Sequence, residues 1–166
     1  MKNGFGNISE GYFAIGHKDK MVDFTWVARP NGHISSGGAV TLSEGRDDVE
    51  RTYAHMVVFD KILGARDLGA RGLIKIDVEG AEMSAFAGMQ QSVAAHKPDI
   101  ILETFKQDRC DFINNIVKPL GYSTFVIHED GPLVETDGLT PAARGSENLN
   151  QLLTTHPEMF RTPLPQ

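Results

Sequence analysis

The amino-acid sequence predicts an α/β fold with a mostly parallel sheet. From residue 73 onward, apolar runs of strand length alternate with segments of helix length in the order β-α-β-α-β. The runs 73–78 and 99–103 are nearly continuous in apolar character, which is typical of strands covered on both faces of a parallel sheet. Strands joined through a helix lie parallel, with right-handed crossovers. The 166 residues suffice for one domain.

The N-terminal third predicts strands that are less buried. Residues 11–15 form a short apolar run, and residues 21–27 alternate apolar with polar side chains, as a half-exposed strand does. Residues 50–59 predict a third strand. Asp60 follows it, and we expect this side chain to cap a short helix that ends at Leu63.

Two longer helices are predicted between the strands of the second half. Residues 80–96 carry an apolar stripe at helical spacing, and Pro98 ends this helix because proline disfavours a helical conformation at the preceding Lys97. Residues 108–120 predict the second helix, with Gly121 at its C-terminus. The last two predicted strands are residues 122–128 and 148–153.

Charge and composition argue against several classes of partner. The net charge is −6 and the lysines and arginines form no block, which argues against a nucleic-acid partner. No run approaches the roughly 20 apolar residues of a membrane span, and the N-terminus lacks the apolar core of a signal peptide. The single Cys110 cannot form an internal disulfide. We therefore expect a cytoplasmic protein with no nucleic-acid partner and no membrane partner.

Three carboxylates crowd the end of the most apolar strand. Asp77, Glu79 and Glu82 lie within six positions, and the ligands of open α/β sheets collect at the carboxyl ends of strands. Two like charges about 6 Å apart repel by roughly 3 kcal/mol at an effective dielectric near 20. A cation, a cationic ligand or a ligand with several hydroxyl groups would offset that repulsion. For Glu82 alone, an equally good interpretation is that it complements the dipole of the following helix.

Further candidate residues lie near this strand end or in a loop. Glu103 ends the neighbouring strand, so we expect it near Asp77. Lys75 lies two residues before Asp77 on the same face of the strand, and a buried lysine there needs a carboxylate partner. His33 stands beside Ser35 in a polar loop and could contact a substrate, although a lone loop histidine is usually only solvated.

Several motifs resemble those of the FkbM family of S-adenosylmethionine-dependent methyltransferases. They are IKIDVEGAE at 74–82, FAG at 86–88 and KPDIILE at 97–103. Phe86 and Ala87 replace the leucine and lysine that are usual in the family. Upstream, NISEGYFAIG at 7–16 and VVFD at 57–60 are also similar to family motifs, so the resemblance extends from residue 7 to residue 128.

The resemblance implies a Rossmann-like class I methyltransferase sheet, in a partial domain at 1–155 with a tail at 156–166. It also implies an O-methyltransferase that uses S-adenosylmethionine as cofactor and a hydroxyl of a sugar or natural product as acceptor. The resemblance implies that Asp77 and Glu79 line the cleft near the cofactor methyl group or the acceptor hydroxyl. We expect catalytic roles for Asp77, Glu79 and Glu103, cofactor contacts from Asp77 and Gly16, and acceptor contacts from Glu82, His33 and Ser35. We expect no metal.

The chain also departs from the family pattern. The family's expected strand order is 3-2-1-4-5-7-6, and residues 73–78 would be strand four without its neighbour, because the first two strands and the glycine-rich turn of the cofactor site are not recognisable. The glycines of GFG at 4–6 follow no strand. A central strand with a bare edge favours association. We therefore expect one of two arrangements: the chain is the C-terminal half of a longer or split enzyme, present here as a fragment that could lack activity, or another chain, such as a second copy, covers this edge. In either case we expect weak or no cofactor binding by this chain alone.

Two alternative functions stay open from the sequence. A metal-dependent hydrolase would use Asp77, Glu79 and Glu103 as oxygen ligands for Mg²⁺ or Mn²⁺. A non-catalytic partner subunit would contribute an edge strand to another protein. Stabilisation by a divalent metal but not by the cofactor would favour the hydrolase, and an obligate oligomer without activity would favour the subunit.

Overall fold

Two β-sheets and four short helices make up the part of the chain that the structure describes. This computed structural model describes residues 11–27, 49–63, 68, 72–78, 80–128, 130–143, 145 and 149–161. The first sheet contains β1 (Ala14–Ile15), β2 (Lys20–Val27) and β3 (Val49–Val57) in the order β1-β3-β2. The second contains β4 (Leu73–Ile76), β5 (Asp99–Glu103), β6 (Ser123–Val126), β7 (Val134–Thr136) and β8 (Asn150–Thr154) in the order β4-β5-β8-β6-β7. The helices are α1 (Phe59–Leu63), α2 (Glu82–Ala87), α3 (Gln90–His96) and α4 (Gln107–Val117).

The first sheet confirms the strands predicted for the N-terminal third, within a few residues at their ends. β2 and β3 pair antiparallel along their length, with Val22 opposite Ala54, and β1 pairs parallel with β3. Val22 and Met56 are buried on one face, while Met21 and Tyr53 on the other face are exposed. This is the half-exposed pattern that the alternation of apolar and polar residues predicts.

The hydrophobic core lies on one face of the second sheet. Ile76 of β4, together with Ile100 and Leu102 of β5, is buried in it. The helix residues that belong to the same cluster are Phe86, Val93, Cys110, Ile113 and Val117. Each large apolar side chain buried in this way contributes about 1.5–3 kcal/mol, so the helices α2, α3 and α4 are held to this face by their apolar stripes.

The prediction of a mostly parallel sheet is wrong for the hydrogen-bonded strand pairs. Among the described residues, β1–β3 and β4–β5 pair parallel, whereas β2–β3, β5–β8, β6–β8 and β6–β7 pair antiparallel. The reason is that β8 enters between β5 and β6 and runs against both. β4, β5 and β6 still run in one direction, and the order β4-β5-β8-β6 is the order expected for strands four, five, seven and six.

β4 is an edge strand within the described part of the chain, and the prediction that residues 73–78 are covered on both faces is wrong. Among the described residues, β5 is the one strand that pairs with β4. Ile76 is buried, but Leu73 on the opposite face is 62% exposed, and Lys75 on that face is exposed as well. The apolar run indicated burial because it fills the core face, but the sequence pattern says nothing about what covers the other face.

The helix predicted at 80–96 is divided into α2 and α3. Gly88 and Met89 lie between the two helices. The Asp60 carboxylate accepts hydrogen bonds from the backbone N–H groups of Gln91 (3.1 Å) and Ser92 (2.8 Å), at the start of α3. Asp60 lies inside α1, so the prediction that it caps its own helix is wrong. It provides the N-terminal cap of α3 instead.

The predicted helix ends are confirmed. Lys97 adopts a left-handed conformation with φ of 47° directly after α3, and Pro98 cannot continue the helix. α4 passes into a 3₁₀ turn, Lys118–Leu120, and Gly121 ends it with φ of 86°. In the described part of the chain, no helix combines the length and the apolar character needed to cross a bilayer.

Residues beyond the predicted domain boundary at 155 pack on the second sheet. The rings of Phe160 and Phe125 have centroids 6.2 Å apart. Arg161 donates two hydrogen bonds, of 2.8 and 2.9 Å, to the Glu135 carboxylate on β7. β7 itself was not predicted from the sequence. The division of the chain at 155 stays a prediction.

Candidate functional site

The carboxyl ends of β4 and β5 bring two of the predicted acidic residues side by side. Ile76 pairs with Leu102 in the parallel register of the two strands. Asp77 directly follows Ile76 and Glu103 directly follows Leu102, so the two acidic residues occupy neighbouring positions at the same edge of the sheet, as predicted. The Asp77 side chain is 58% exposed. Its carboxylate is therefore accessible to a ligand.

Lys75 lies on the same exposed face as Asp77, which corrects the prediction that it is buried. Its Nζ atom is 3.7 Å from Oδ2 of Asp77 and donates a hydrogen bond of 2.7 Å to Oδ1 of Asn150 on β8. Asn150 in turn pairs with Glu103 across β5 and β8. Exposed ion pairs contribute about 0–1 kcal/mol to stability. The ion pair therefore contributes little to stability, but it brings a cation, an amide and the Asp77 carboxylate together, with Glu103 at the neighbouring strand position.

Glu82 is separated from this exposed group. It is the first residue of α2 and only 2% exposed. Its Oε2 atom accepts a 2.8 Å hydrogen bond from Nη1 of Arg109 on α4, and its Oε1 atom accepts a 2.8 Å hydrogen bond from the backbone N–H of Gly80. Both carboxylate oxygens thus have partners within the chain. Its role as an acceptor contact stays a prediction, and so does the alternative that Glu82 complements the dipole of α2.

The segment between Asp77 and α2 is a tight turn. The backbone N–H of Ala81 donates a 3.0 Å hydrogen bond to the carbonyl of Val78, which closes a four-residue turn. Gly80, directly before Ala81, has φ of 101°, a conformation that glycine adopts without strain. The Arg109 guanidinium lies 3.4 Å from the position that a Cβ atom would take on Gly80.

Gly16 is buried at a close contact between the two halves of the described structure. Its N–H donates a 3.0 Å hydrogen bond to the carbonyl of Val57. A Cβ atom on Gly16 would overlap the Met56 side chain, and a Cβ atom on Gly88 would overlap the carbonyl of Gly16. The two glycines therefore allow the backbone after β1 to approach the end of α2. This packing explains why glycine stands at 16, while its predicted contact with a cofactor stays a prediction.

Three of the predicted site residues lie outside the described residues: Glu79, His33 and Ser35. The described residues contain no group of three histidine, cysteine, aspartate or glutamate side chains placed to hold a metal ion. The trio of the hydrolase alternative includes Glu79, so this finding does not test it directly. Nothing in the structure or in the comparisons below supports that alternative.

Among the groups elsewhere whose pKa is moved by their surroundings are Cys110 and Asp19. Burial raises the pKa of the Cys110 thiol, which packs in the hydrophobic core. A thiol of this kind stays protonated and is a poor nucleophile. Hydrogen bonds from Lys61 and from the Val58 N–H lower the pKa of the Asp19 carboxyl. Neither group belongs to the arrangement around Asp77.

A surface cavity of about 220 Å³ lies at the other end of the second sheet, between the end of α4 and the strands β6 and β7. Lys118, which lines it, pairs with Asp137 at 3.3 Å. None of the predicted site residues lines this cavity. The carboxyl ends of β4 and β5 therefore remain the candidate site.

Sequence reasoning missed Arg109 and Asn150. Neither residue stands at a recognisable spacing from its partner, since Arg109 is 27 positions from Glu82 and Asn150 is 75 positions from Lys75. One signal was available for the first contact. A carboxylate at the start of a helix that packs into a core needs a partner, and an arginine on the next helix satisfies that need.

Comparisons with known proteins give the family. The crystal structure of methyltransferase FkbM from Methylobacillus flagellatus KT is similar to this chain with a TM-score of 0.46 and 16% sequence identity, over 86% of this chain and 27% of that one. No curated protein matches the chain in sequence. The family model described as the methyltransferase FkbM domain matches residues 7–124. This match covers more than half of the sequence, and the chain therefore belongs to the FkbM methyltransferase domain family.

Proposed function

We propose that this chain contributes the acidic, acceptor-facing part of an S-adenosylmethionine-dependent O-methyltransferase site that acts on a hydroxyl of a sugar or natural product. Membership of the methyltransferase family supports a methyl-transfer reaction. The observation that carries the proposal is the position of Asp77, exposed and next to Glu103 at the carboxyl ends of β4 and β5. Ligands of open α/β sheets bind at such ends.

The protein has little covalent chemistry to perform in methyl transfer from a sulfonium. S-adenosylmethionine would supply the methyl group from a positively charged sulfonium, and acidic side chains are favourable neighbours for that charge. The acceptor hydroxyl must be aligned and must lose its proton, which a carboxylate can accept as a general base. We assign this role to Asp77, with Glu79 as the second candidate. The ammonium of Lys75, 3.7 Å from Asp77, offsets part of the repulsion between Asp77 and Glu103.

Transfer of a labelled methyl group from S-adenosylmethionine to a panel of sugar and natural-product hydroxyls tests the proposal. Asp77→Asn keeps the shape of the side chain and removes the base, so we expect kcat to fall by about 10²-fold or more. Asp137→Asn is the matched control, because Asp137 is also exposed and paired with a lysine, at 3.3 Å, but lies at the other end of the sheet. Full activity of the Asp77→Asn enzyme would show that Asp77 is not the general base.

We further propose that a strand of another chain covers the edge of β4 that has no partner strand among the described residues, called the open edge from here on. The N–H of Asp99 donates a 2.8 Å hydrogen bond to the carbonyl of Gly72. Backbone groups alternate in direction along a strand, so those of residues 72, 74 and 76 point towards β5, and those of Leu73 and Lys75 point towards the open edge. Leu73 is also among the exposed large apolar side chains. Such an edge is a template for a further strand.

A pair of proline variants tests this edge. Leu73→Pro removes an N–H that points outward, and Ile74→Pro removes one that points to β5. We expect Leu73→Pro to fold and to lose association, measured by light scattering during size-exclusion chromatography, and Ile74→Pro to lose stability. Calorimetry should show weak or no cofactor binding by the isolated monomer. Association that survives Leu73→Pro, or micromolar cofactor binding by a monomer, would contradict the proposal.

A further inference from the structure

We propose that Arg109 is a positioning residue that fixes, through Glu82, the turn between Asp77 and α2. For its effect on catalysis this inference rests on the proposed function, but the turn itself can be measured without it. The Arg109 side chain is 17% exposed and the Glu82 side chain 3% exposed, and their atoms Nη1 and Oε2 are 2.8 Å apart. We call Arg109, Glu82 and the Gly80 N–H the turn clamp.

The turn clamp is a continuous chain of contacts from α4 to the candidate site. Arg109 holds one oxygen of Glu82, and the other oxygen accepts the N–H of Gly80 at 2.8 Å. Gly80 stands directly before Ala81, whose N–H closes the turn to Val78 at 3.0 Å. Val78 follows Asp77. The Arg109 side chain on α4 is thus linked, through Glu82 and the turn, to the backbone one residue after the proposed base Asp77.

A buried ion pair such as Glu82–Arg109 is not explained by stability alone. Replacing such a pair by apolar side chains of similar volume is often neutral or stabilising. α2 and α4 already pack through apolar residues, including Phe86 and Ile113. An apolar pair in place of Glu82 and Arg109 would pack the helices as well, but it would leave the Gly80 N–H without its acceptor. The clamp therefore has a function that packing does not supply.

The turn needs this support because of its glycine. Gly80 has φ of 101°, and glycine has access to more backbone conformations than any other residue. Without the clamp, the backbone after Asp77 would exchange among several of these conformations. Misplacement of a reacting group by about 1 Å can reduce a rate by about 10²-fold. The glycine gives the turn its shape, and Arg109 and Glu82 select one conformation.

Hydrogen exchange of the full chain separates positioning from stability. The test variant is the double change Glu82→Leu with Arg109→Met, which removes both charges and keeps the volume. We expect the Gly80 amide to exchange about tenfold faster or more, relative to the core amide of Leu102. The double variant should have a higher thermal midpoint than Arg109→Met alone, which leaves the Glu82 charge buried without a partner. Glu135→Leu with Arg161→Met removes an exposed bidentate pair and is the control.

Methyl transfer by the associated form of the chain, collected from size-exclusion chromatography, provides the second measurement. We expect the double variant to lose kcat by about tenfold or more, with the KM for the acceptor changed by less than about threefold, since both carboxylate oxygens of Glu82 are held within the clamp and the clamp acts on the position of the base. Arg109→Lys should recover part of kcat. Unchanged Gly80 exchange in the double variant would overturn the clamp, and unchanged kcat would overturn its positioning role. An unmodified enzyme without transfer activity would refute the proposed function, and the exchange rates would still decide the clamp.

Discussion

Asp60→Ala is expected to destabilise the protein by about 2–4 kcal/mol, although Asp60 lies outside the candidate site. Its carboxylate accepts three hydrogen bonds at the start of α3, from the Gln91 N–H (3.1 Å), the Ser92 N–H (2.8 Å) and the Ser92 hydroxyl (2.6 Å). Loss of a helix N-terminal cap costs about 1 kcal/mol. Ser92 is buried, and leaving its hydroxyl without a partner adds about 1–3 kcal/mol.

The assay is urea denaturation followed by circular dichroism, together with the thermal midpoint. For a chain of this size, each kcal/mol of lost stability lowers the thermal midpoint by about 2–4 °C. The thermal midpoint of Asp60→Ala should therefore fall by about 5–15 °C. Asp60→Asn retains a carbonyl oxygen that can accept the backbone N–H groups, and we expect it to lose less than half as much. Asp137→Ala, at an exposed ion pair, should change stability by less than about 0.5 kcal/mol.

Two results would refute this reasoning. A loss below about 1 kcal/mol for Asp60→Ala would mean that water replaces the carboxylate at the start of α3. Equal losses for Asp60→Asn and Asp60→Ala would mean that the charge matters and the hydrogen-bond acceptor does not.

Three further predictions concern other parts of the described structure. The hydrogen bond from Arg161 lowers the pKa of the Glu135 carboxyl, so the folded state binds this proton less tightly than the unfolded state. The stability difference between the native protein and Glu135→Gln, measured from thermal midpoints across pH, should be present at neutral pH, begin to fall near the ordinary glutamate pKa of about 4.3, and vanish below the lowered pKa of the folded state. Cys110 should resist alkylation at mildly alkaline pH until the protein is unfolded, as followed by mass spectrometry, because burial raises the pKa of its thiol. Gly88→Ala should lose about 1–3 kcal/mol in urea denaturation, because the added methyl group would overlap the carbonyl of Gly16.

Local signals account for the parts of the fold and site that the sequence predicted correctly. The ends of α3 and α4 follow from Lys97-Pro98 and Gly121, whose backbone preferences act on their immediate neighbours. The neighbouring positions of Asp77 and Glu103 follow from the parallel pairing of two consecutive strands. In each case the residues that decide the outcome lie close together in the chain or in one crossover unit.

The features that the sequence did not predict depend on contacts between distant segments. Asp60 could cap either the helix that contains it or one that packs against it, and only the packing of α1 on α3 decides between them. The insertion of β8 between β5 and β6 is a choice of topology, and it makes the neighbouring pairs antiparallel. Burial of residues 73–78 was overestimated because an apolar pattern identifies the face that can be buried, and the number of layers around a strand is a property of the whole fold.

The edge of β4 that no described strand covers and the exposed Asp77 carboxylate are two aspects of one feature. Leu73 and Lys75 direct their backbone groups to the edge, and Asp77 follows them at its carboxyl end. A strand added there would stand beside Asp77, with Glu103 on the opposite side, so association would turn an exposed corner into a cleft with two walls. The two proposals are therefore linked in one direction: Leu73→Pro should lose association and methyl transfer together, whereas Asp77→Asn should lose transfer and keep association. Transfer by a Leu73→Pro monomer would show that the site is complete without the added strand.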